Sequence, residues 1–290
     1  MKKILVPIDY SSHSDNAVSY AIEIAKKINA DIHLFHGLEA PELIAMPGFM
    51  VWPAEDFSEM KEEADEDMEK YLLKLKEDPA HQQPYFPNIT FSTSIGVTTQ
   101  VINQAIIDQQ PDLVIMGMEG KGKIDRFFLG STSKQMIEKA SVPILLVPAI
   151  AQYHPINKIA FATDLSESDL NSIHDLARLF CLYNPEILLV HADDRPSDFH
   201  DPKSPSSQFL NRVTCNINYG KIYYRHINET DIDKGLKWLS ENGQVDILSM
   251  IHRHPSIVSR ILEGSHTQKM ANSIHLPLLV MPENKTPIGW

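Results

Sequence analysis

The stretch with the most legible chemistry is Met116-Gly117-Met118-Glu119-Gly120-Lys121-Gly122-Lys123, which follows the apolar run Leu113 to Met116. Shortly after it, Leu129-Gly130-Ser131-Thr132-Ser133 opens an expected helix. Glycine lets a backbone N–H approach a ligand with no Cβ in the way, and the unpaired N–H groups of a helix start attract an anion. Phosphate is the natural guest. Ser131, Thr132 and Ser133 can cap the helix and donate hydroxyl hydrogen bonds, while Lys121, Lys123 and Arg126 add positive charge. That charge is informative in a chain whose formal net charge is −12. Two other phosphate loops fail on single residues. Ile124 stands where a P-loop needs the Ser or Thr that holds magnesium, and Asp125 stands where the dinucleotide fingerprint needs its third glycine.

The elements that must position this loop repeat along the chain. Lys3 to Ser11 is echoed by Lys158 to Ser166, and the same displacement of 155 positions carries Asp31 to His36 onto Glu186 to His191. Further on, Pro111 to Met116 matches Val245 to Met250, and Val142 to Pro148 matches Leu276 to Pro282, now displaced by 134. The first half therefore carries about 21 extra residues between His36 and Pro111. Short Val, Ile and Leu runs alternate with amphipathic stretches, which is the pattern of βαβ units around a parallel sheet. Strands are expected at 2–8, 31–37, 89–95, 112–117 and 143–148. The stripe Ala17, Tyr20, Ala21, Ile24, Ala25 and Ile28 predicts the first helix, with Ser11, Ser12 and Ser14 as capping candidates. The fold class follows: α/β, two tandem doubly wound domains, each an open, mostly parallel five-stranded sheet with helices on both faces. The boundary falls at Ala149 to Pro155, giving domains 1–150 and 151–290.

At 290 residues, 43% hydrophobic and 22% charged, the chain has the size of two globular domains. The acidic excess argues against nucleic acid as a partner, and no apolar run reaches the roughly 20 residues of a membrane span. Cys181 and Cys215 are too few for a disulfide framework, and the apolar stretch after Lys3 stops at Pro7 and Asp9, too short for a signal peptide. Cytoplasmic residence is expected.

Gly117, Gly120, Gly130 and Ser131 fit the spacing G-x2-G-x9-G-[ST]. In this the chain resembles the universal stress protein family, whose ATP-binding members carry that spacing after the fourth strand. Val6-Pro7-Ile8-Asp9, Leu34-Phe35-His36 and Ser141 to Val147 look like the family's other markers. The resemblance implies ATP, with or without magnesium, held by Pro7, Asp9, Gly37, Met116, Gly117, Gly120, Lys121, Gly130, Ser131 and Thr132. In it Asp9 and Gly37 flank adenine or ribose, Gly117 meets the ribose, and Gly120, Gly130, Ser131 and Thr132 meet the phosphates. It also implies a stress-response regulator whose two domains pair with each other, with homodimerisation and an unknown protein partner left open. In the second half Gly117 falls on Ile251 and Gly120 on His254, so only Gly264-Ser265 survives and the loop is degenerate there.

Plainer readings stand beside these. Asp9 and Asp164 are also what caps the turn after a strand. His36 and His191 are expected as structural histidines. His252, His254 and His266 are expected on the surface or at a helix start, with no metal. The apolar segment Leu43 to Trp52 is a lid, an interface or a packing flap, with packing or interface favoured, and the acidic run from Glu59 to Asp67 is a solvated face. The sequence offers no dedicated general base, so binding is expected rather than catalysis. A slow ATP hydrolase or phosphotransferase and a nucleotide-free scaffold are the alternatives.

Overall fold

The computed structural model describes residues 2–39, 45–46, 49–50, 56–78, 86–118, 130–139, 141–193, 201–228, 244–252 and 276–283. The chain divides into two compact units, Met1–Met116 and Gly117–Trp290.

In the first unit, β1 (Lys2–Ile8) is buried through its centre, with Ile4, Leu5 and Val6 at 0% exposure. Such continuous apolar strands belong to a sheet covered on both faces. α1 (Ser12–Ile28) follows, its Ser11 side chain accepting from the Ser14 N–H at 3.2 Å, and it ends on Asn29 in the left-handed region. It buries the expected stripe together with Val18 and Ile22. β2 (Ala30–Leu38) then runs parallel to β1, with Ile8 beside His36.

The extra residues of the first half follow. The longer connection they create holds a hairpin of two-residue strands, β3 (Ala45–Met46) with β4 (Phe49–Met50), and the 22-residue helix α2 (Asp56–Glu77). α2 packs against the first unit: Met68 is 0% and Ala64 6% exposed, and Tyr71 donates to Asp15 Oδ1 at 2.7 Å. Glu59, Glu62, Glu63, Glu66 and Asp67 lie exposed, the expected solvated face. Asp65 differs, because the Thr93 hydroxyl donates to it at 2.5 Å. β5 (Ile89–Ile95), α3 (Thr98–Gln109) and β6 (Leu113–Met118) complete the set. The strand order is β6-β1-β2-β5, all parallel.

In the second unit come α4 (Ser131–Glu138), β7 (Ile144–Pro148), β8 (Lys158–Ala162), α5 (Glu167–Leu179), β9 (Glu186–Asp193), α6 (Pro205–Asn216), β10 (Ile222–Asn228), β11 (Ile247–Ile251) and β12 (Leu278–Met281). The strand order is β10-β9-β8-β11-β12-β7. Those ladders are parallel up to the last, where β12 meets β7 antiparallel with Leu279 beside Leu145.

The repeat reaches individual hydrogen bonds. Asp112 Oδ2 accepts from the Lys3 N–H at 3.0 Å, and Asp246 Oδ2 from the Lys158 N–H at 2.8 Å. His36 Nδ1 donates to the Ile8 carbonyl at 2.8 Å, and His191 Nδ1 to that of Thr163 at 2.9 Å. These are the structural histidines expected. Left-handed residues pair in the same way: Tyr10 with Leu165, Asn29 with Asn184 and Gln110 with Gln244.

Candidate functional site

The first unit sets up a crevice by topology. From β1 the chain builds outward through β2 to β5 and then returns to the other side of β1 as β6, so the strand order reverses between β1 and β6. Parallel strands on either side of such a reversal leave a crevice beyond their carboxyl ends, where ligands bind. Pro7 and Asp9 lie at that end of β1, Met116 and Gly117 at that end of β6, and Gly37 near the end of β2.

Asp9 is exposed, and its carboxylate is engaged locally. Oδ1 accepts from the Ser11 N–H at 3.0 Å and from the Ser11 hydroxyl at 2.5 Å, closing the turn into α1. Burial raises its pKa, but the hydrogen bonds from Ser11 and Ser14 outweigh that and hold it below the ordinary value. Asp9 is thus ionised at neutral pH and presents a fixed negative charge at the crevice. Ser14 supports it from the first turn of α1, its Oγ accepting from the Asp9 N–H at 3.4 Å. Ser14 was legible in the sequence only as a capping candidate. Asp164 repeats the turn, accepting from the Ser166 N–H at 3.0 Å.

Gly37 is explained by packing. A Cβ there would meet Val101 at 3.0 Å and Thr98 at 3.9 Å, so α3 approaches too closely for a larger residue to fit without displacing it. Tyr10, left-handed at φ 59°, lays its ring 4.8 Å from that of His36 and edge-on to Tyr71 at 5.7 Å. Burial, and then the charge of Asp67, push its hydroxyl up to about 12, so it stays a neutral phenol. Nothing in its residue type marks it for a left-handed turn.

α4 opens differently from expectation. Gly130, rather than a serine, occupies the N-cap, with φ −59° and no side-chain cap. The turn closes through the Lys134 N–H on the Gly130 carbonyl at 3.0 Å. Ser131 is therefore not consumed as a cap, and it is exposed, while Thr132 is half-buried and Ser133 buried. The first N–H groups of any helix lack intrahelical acceptors, and here no cap side chain meets them. Gly120, Lys121, Lys123 and Arg126 lie outside the described residues.

In the second unit Ile251, at the position of Gly117, is a 7% exposed residue of β11, paired beside Met281. A buried branched side chain removes the close backbone approach a phosphate loop needs. His254, Gly264, Ser265 and His266 lie outside the described residues. Among the described residues no group of three or more His, Cys, Asp or Glu is placed to enclose a metal, and no helix is long and apolar enough to cross a membrane.

A parallel sheet whose strand order reverses beside a central strand defines the doubly wound class of α/β proteins. Within it the chain belongs to the universal stress protein family, whose model matches residues 1–148. A universal stress protein of Methanocaldococcus jannaschii is 29% identical over 146 residues, covering 50% of this chain and 81% of that one. Another, from Thermus aquaticus, is 28% identical over 147 residues and covered to 98%. The crystal structure of a universal stress protein from Archaeoglobus fulgidus superposes with a TM-score of 0.71 at 16% identity, covering 97% of this chain and 98% of that one. At that identity the likeness establishes the shared fold.

Proposed function

We propose that residues 1–150 form an adenine-nucleotide-binding domain and that residues 151–290 form a sister domain whose loop has lost the ligand, the whole acting as a stress-response regulator. The observation that carries this reading is the reversal of strand order between β1 and β6. The carboxyl ends of those strands bear Asp9 and Gly117, and the glycine-rich segment starts there. Gly120, Gly130, Ser131 and Thr132 take the phosphates, through backbone N–H groups and hydroxyls. Lys121 adds charge against the polyphosphate, with or without magnesium. Asp9 keeps its turn and offers its second carboxylate oxygen to ribose or adenine. Met116, Gly117, Pro7 and Gly37 shape the crevice wall. The ligand acts by binding, because none of these residues is a positioned general base.

Freshly purified protein is denatured and the released ligand identified. Calorimetry then follows ATP on the wild type and on Gly120→His, which installs the second domain's residue. About one ATP per chain, lost in the variant, is expected. Two equivalent sites, or binding indifferent to Gly120→His, would overturn the assignment.

A further inference from the structure

We propose that the first turn of α3 is the base-binding ledge of the first domain, with Val97 and Val101 together taking one face of the adenine ring. The inference rests on the nucleotide reading above and names residues that it leaves out. α3 is the crossover from β5 back to β6, so its first turn stands at the carboxyl ends of the strands, the end that carries Asp9. β2 runs parallel to β1 with His36 beside Ile8, which sets Gly37 level with Asp9 one residue on.

Two glycines let this turn come close to the sheet. A Cβ on Gly37 would stand 3.0 Å from Val101 Cγ2, and one on Gly96 would stand 2.8 Å from Val101 Cγ1. The Val101 side chain therefore fills the room that a side chain near the end of β2 would take. The Gly96 N–H donates to the Leu38 carbonyl at 2.8 Å, which ties the approach to α3 to the end of β2. Val97 precedes Val101 by four residues, and the Val101 N–H donates to its carbonyl at 3.1 Å, so the two valines are neighbours on one side of the turn.

Val97 does not serve the helix it begins. An N-cap favours Ser, Thr, Asp or Asn, whose side chain meets an open N–H of the first turn, and α1 and α6 are capped in that way by Ser11 and Ser204. Val97 is the N-cap of α3 and makes no such bond. It is also 61% exposed, while Val101 is half-buried. The chain thus forgoes a cap and leaves apolar surface in water at the end of the sheet where the crevice opens. A flat heterocycle resting on the two valines removes that surface from water and asks no hydrogen bond of it. In the second unit Ala192 stands at the position of Gly37, with a Cβ where the ledge needs none.

ATP and inorganic tripolyphosphate are titrated into the full chain and into Val97→Ser, Val101→Thr and Ile107→Ser. Serine at 97 supplies an N-cap residue, threonine at 101 keeps the branched shape, and Ile107 is an apolar residue elsewhere on α3, 63% exposed. Full burial of a valine is worth about tenfold or more in affinity, so cover by a base predicts ATP binding weakened about threefold or more in the first two variants. ATP binding to Ile107→Ser and tripolyphosphate binding to all three should match the wild type, and Val97→Ser should melt no lower than it does. ATP affinity unchanged in both Val97→Ser and Val101→Thr would overturn the ledge and leave the nucleotide reading standing. A wild type that binds neither ligand would overturn both. Tripolyphosphate weakened in parallel with ATP, or an equal loss in Ile107→Ser, would place the effect away from the base and would also refute the proposal.

Discussion

His33 places both ring nitrogens in hydrogen bonds, Nδ1 to the Thr90 hydroxyl and Nε2 to the Ser92 hydroxyl, each at 2.8 Å. Burial, and then the positive charge of Lys3, push its pKa down from 6.5 to about 4. The unfolded chain takes up a proton below pH 6.5 that the folded chain refuses until about pH 4, so this residue's stabilising contribution is complete above 6.5 and is lost as the pH falls toward 4. In His33→Gln the pH dependence of stability in that window should shrink by up to one proton, about 1.4 kcal/mol per pH unit. Urea melts at pH 7, 6 and 5 check this, and an unchanged slope would refute it. Ser131→Ala should weaken ATP relative to adenosine by about tenfold or more, because a lost hydrogen bond to a charged group costs roughly 1.5–3 kcal/mol. Parallel titrations with the two ligands give the ratio, and a ratio equal to wild type would remove Ser131 from the phosphate site. At this scale the sequence is readable where a residue type has few uses. Asp9 could be picked out by type and position as the residue that closes the turn after β1. The left-handed backbone at Tyr10 and Leu165 could not, because neither Tyr nor Leu prefers that conformation.

Strands and helices were more legible than the caps between them. Each expected strand of the first half is present within about a residue at either end, because a run such as Ile4-Leu5-Val6 has no stable place except a sheet buried on both faces. The start of α4 was misjudged, since three hydroxyl residues followed Gly130 and the chain used the glycine as its cap. The hairpin of β3 and β4 gave no signal: two-residue strands are too short for alternation to show. The run from Glu59 to Asp67 was expected as a solvated face, but the docking of α2 was invisible because its anchors, Met68, Asp65 and Tyr71, find partners far away in sequence. Their unequal burial ranks them. Met68→Ala empties a fully buried position and should cost about 2–5 kcal/mol. Tyr71→Phe keeps the ring and loses one hydrogen bond to Asp15, which is exposed, so about 1 kcal/mol is expected. Denaturant unfolding of both variants tests the order. A Tyr71→Phe loss equal to that of Met68→Ala would mean that the helix is held chiefly by its polar contact.

The repeat was the most informative feature of the whole chain, because equivalence at a fixed displacement constrains many residues at once. It aligned Asp112 with Asp246 and Lys3 with Lys158, whose hydrogen bonds the structure shows to match, and it bounded the extra residues of the first half between His36 and Pro111, where the structure adds them ahead of β5. It could not show which strand would lie beside β7, since any apolar strand offers the same unpaired N–H and C=O groups. The structure places β12 there, antiparallel, with Leu278, Leu279 and Val280 beside Leu146, Leu145 and Ile144. In the repeat these are the two last strands, and the register is self-complementary, as at a two-fold axis. A fragment of residues 1–150 would keep β7 and lose β12. The edge it exposes bears Leu145, which is 0% exposed in the full chain. Burial of such a side chain contributes about 1.5–3 kcal/mol, so an uncovered edge favours a partner. The fragment should therefore dimerise through a second copy of β7 and sediment as a dimer at micromolar concentration. Leu145→Lys should leave it folded by circular dichroism but monomeric, because a charged side chain on each copy would face its counterpart across the edge. The full chain supplies β12 covalently and gains its effective concentration from the linker, so it needs no second copy for this contact. A folded fragment that stays monomeric without the substitution would mean that β7 is protected from within its own repeat, and that the antiparallel ladder contributes little to holding the chain together.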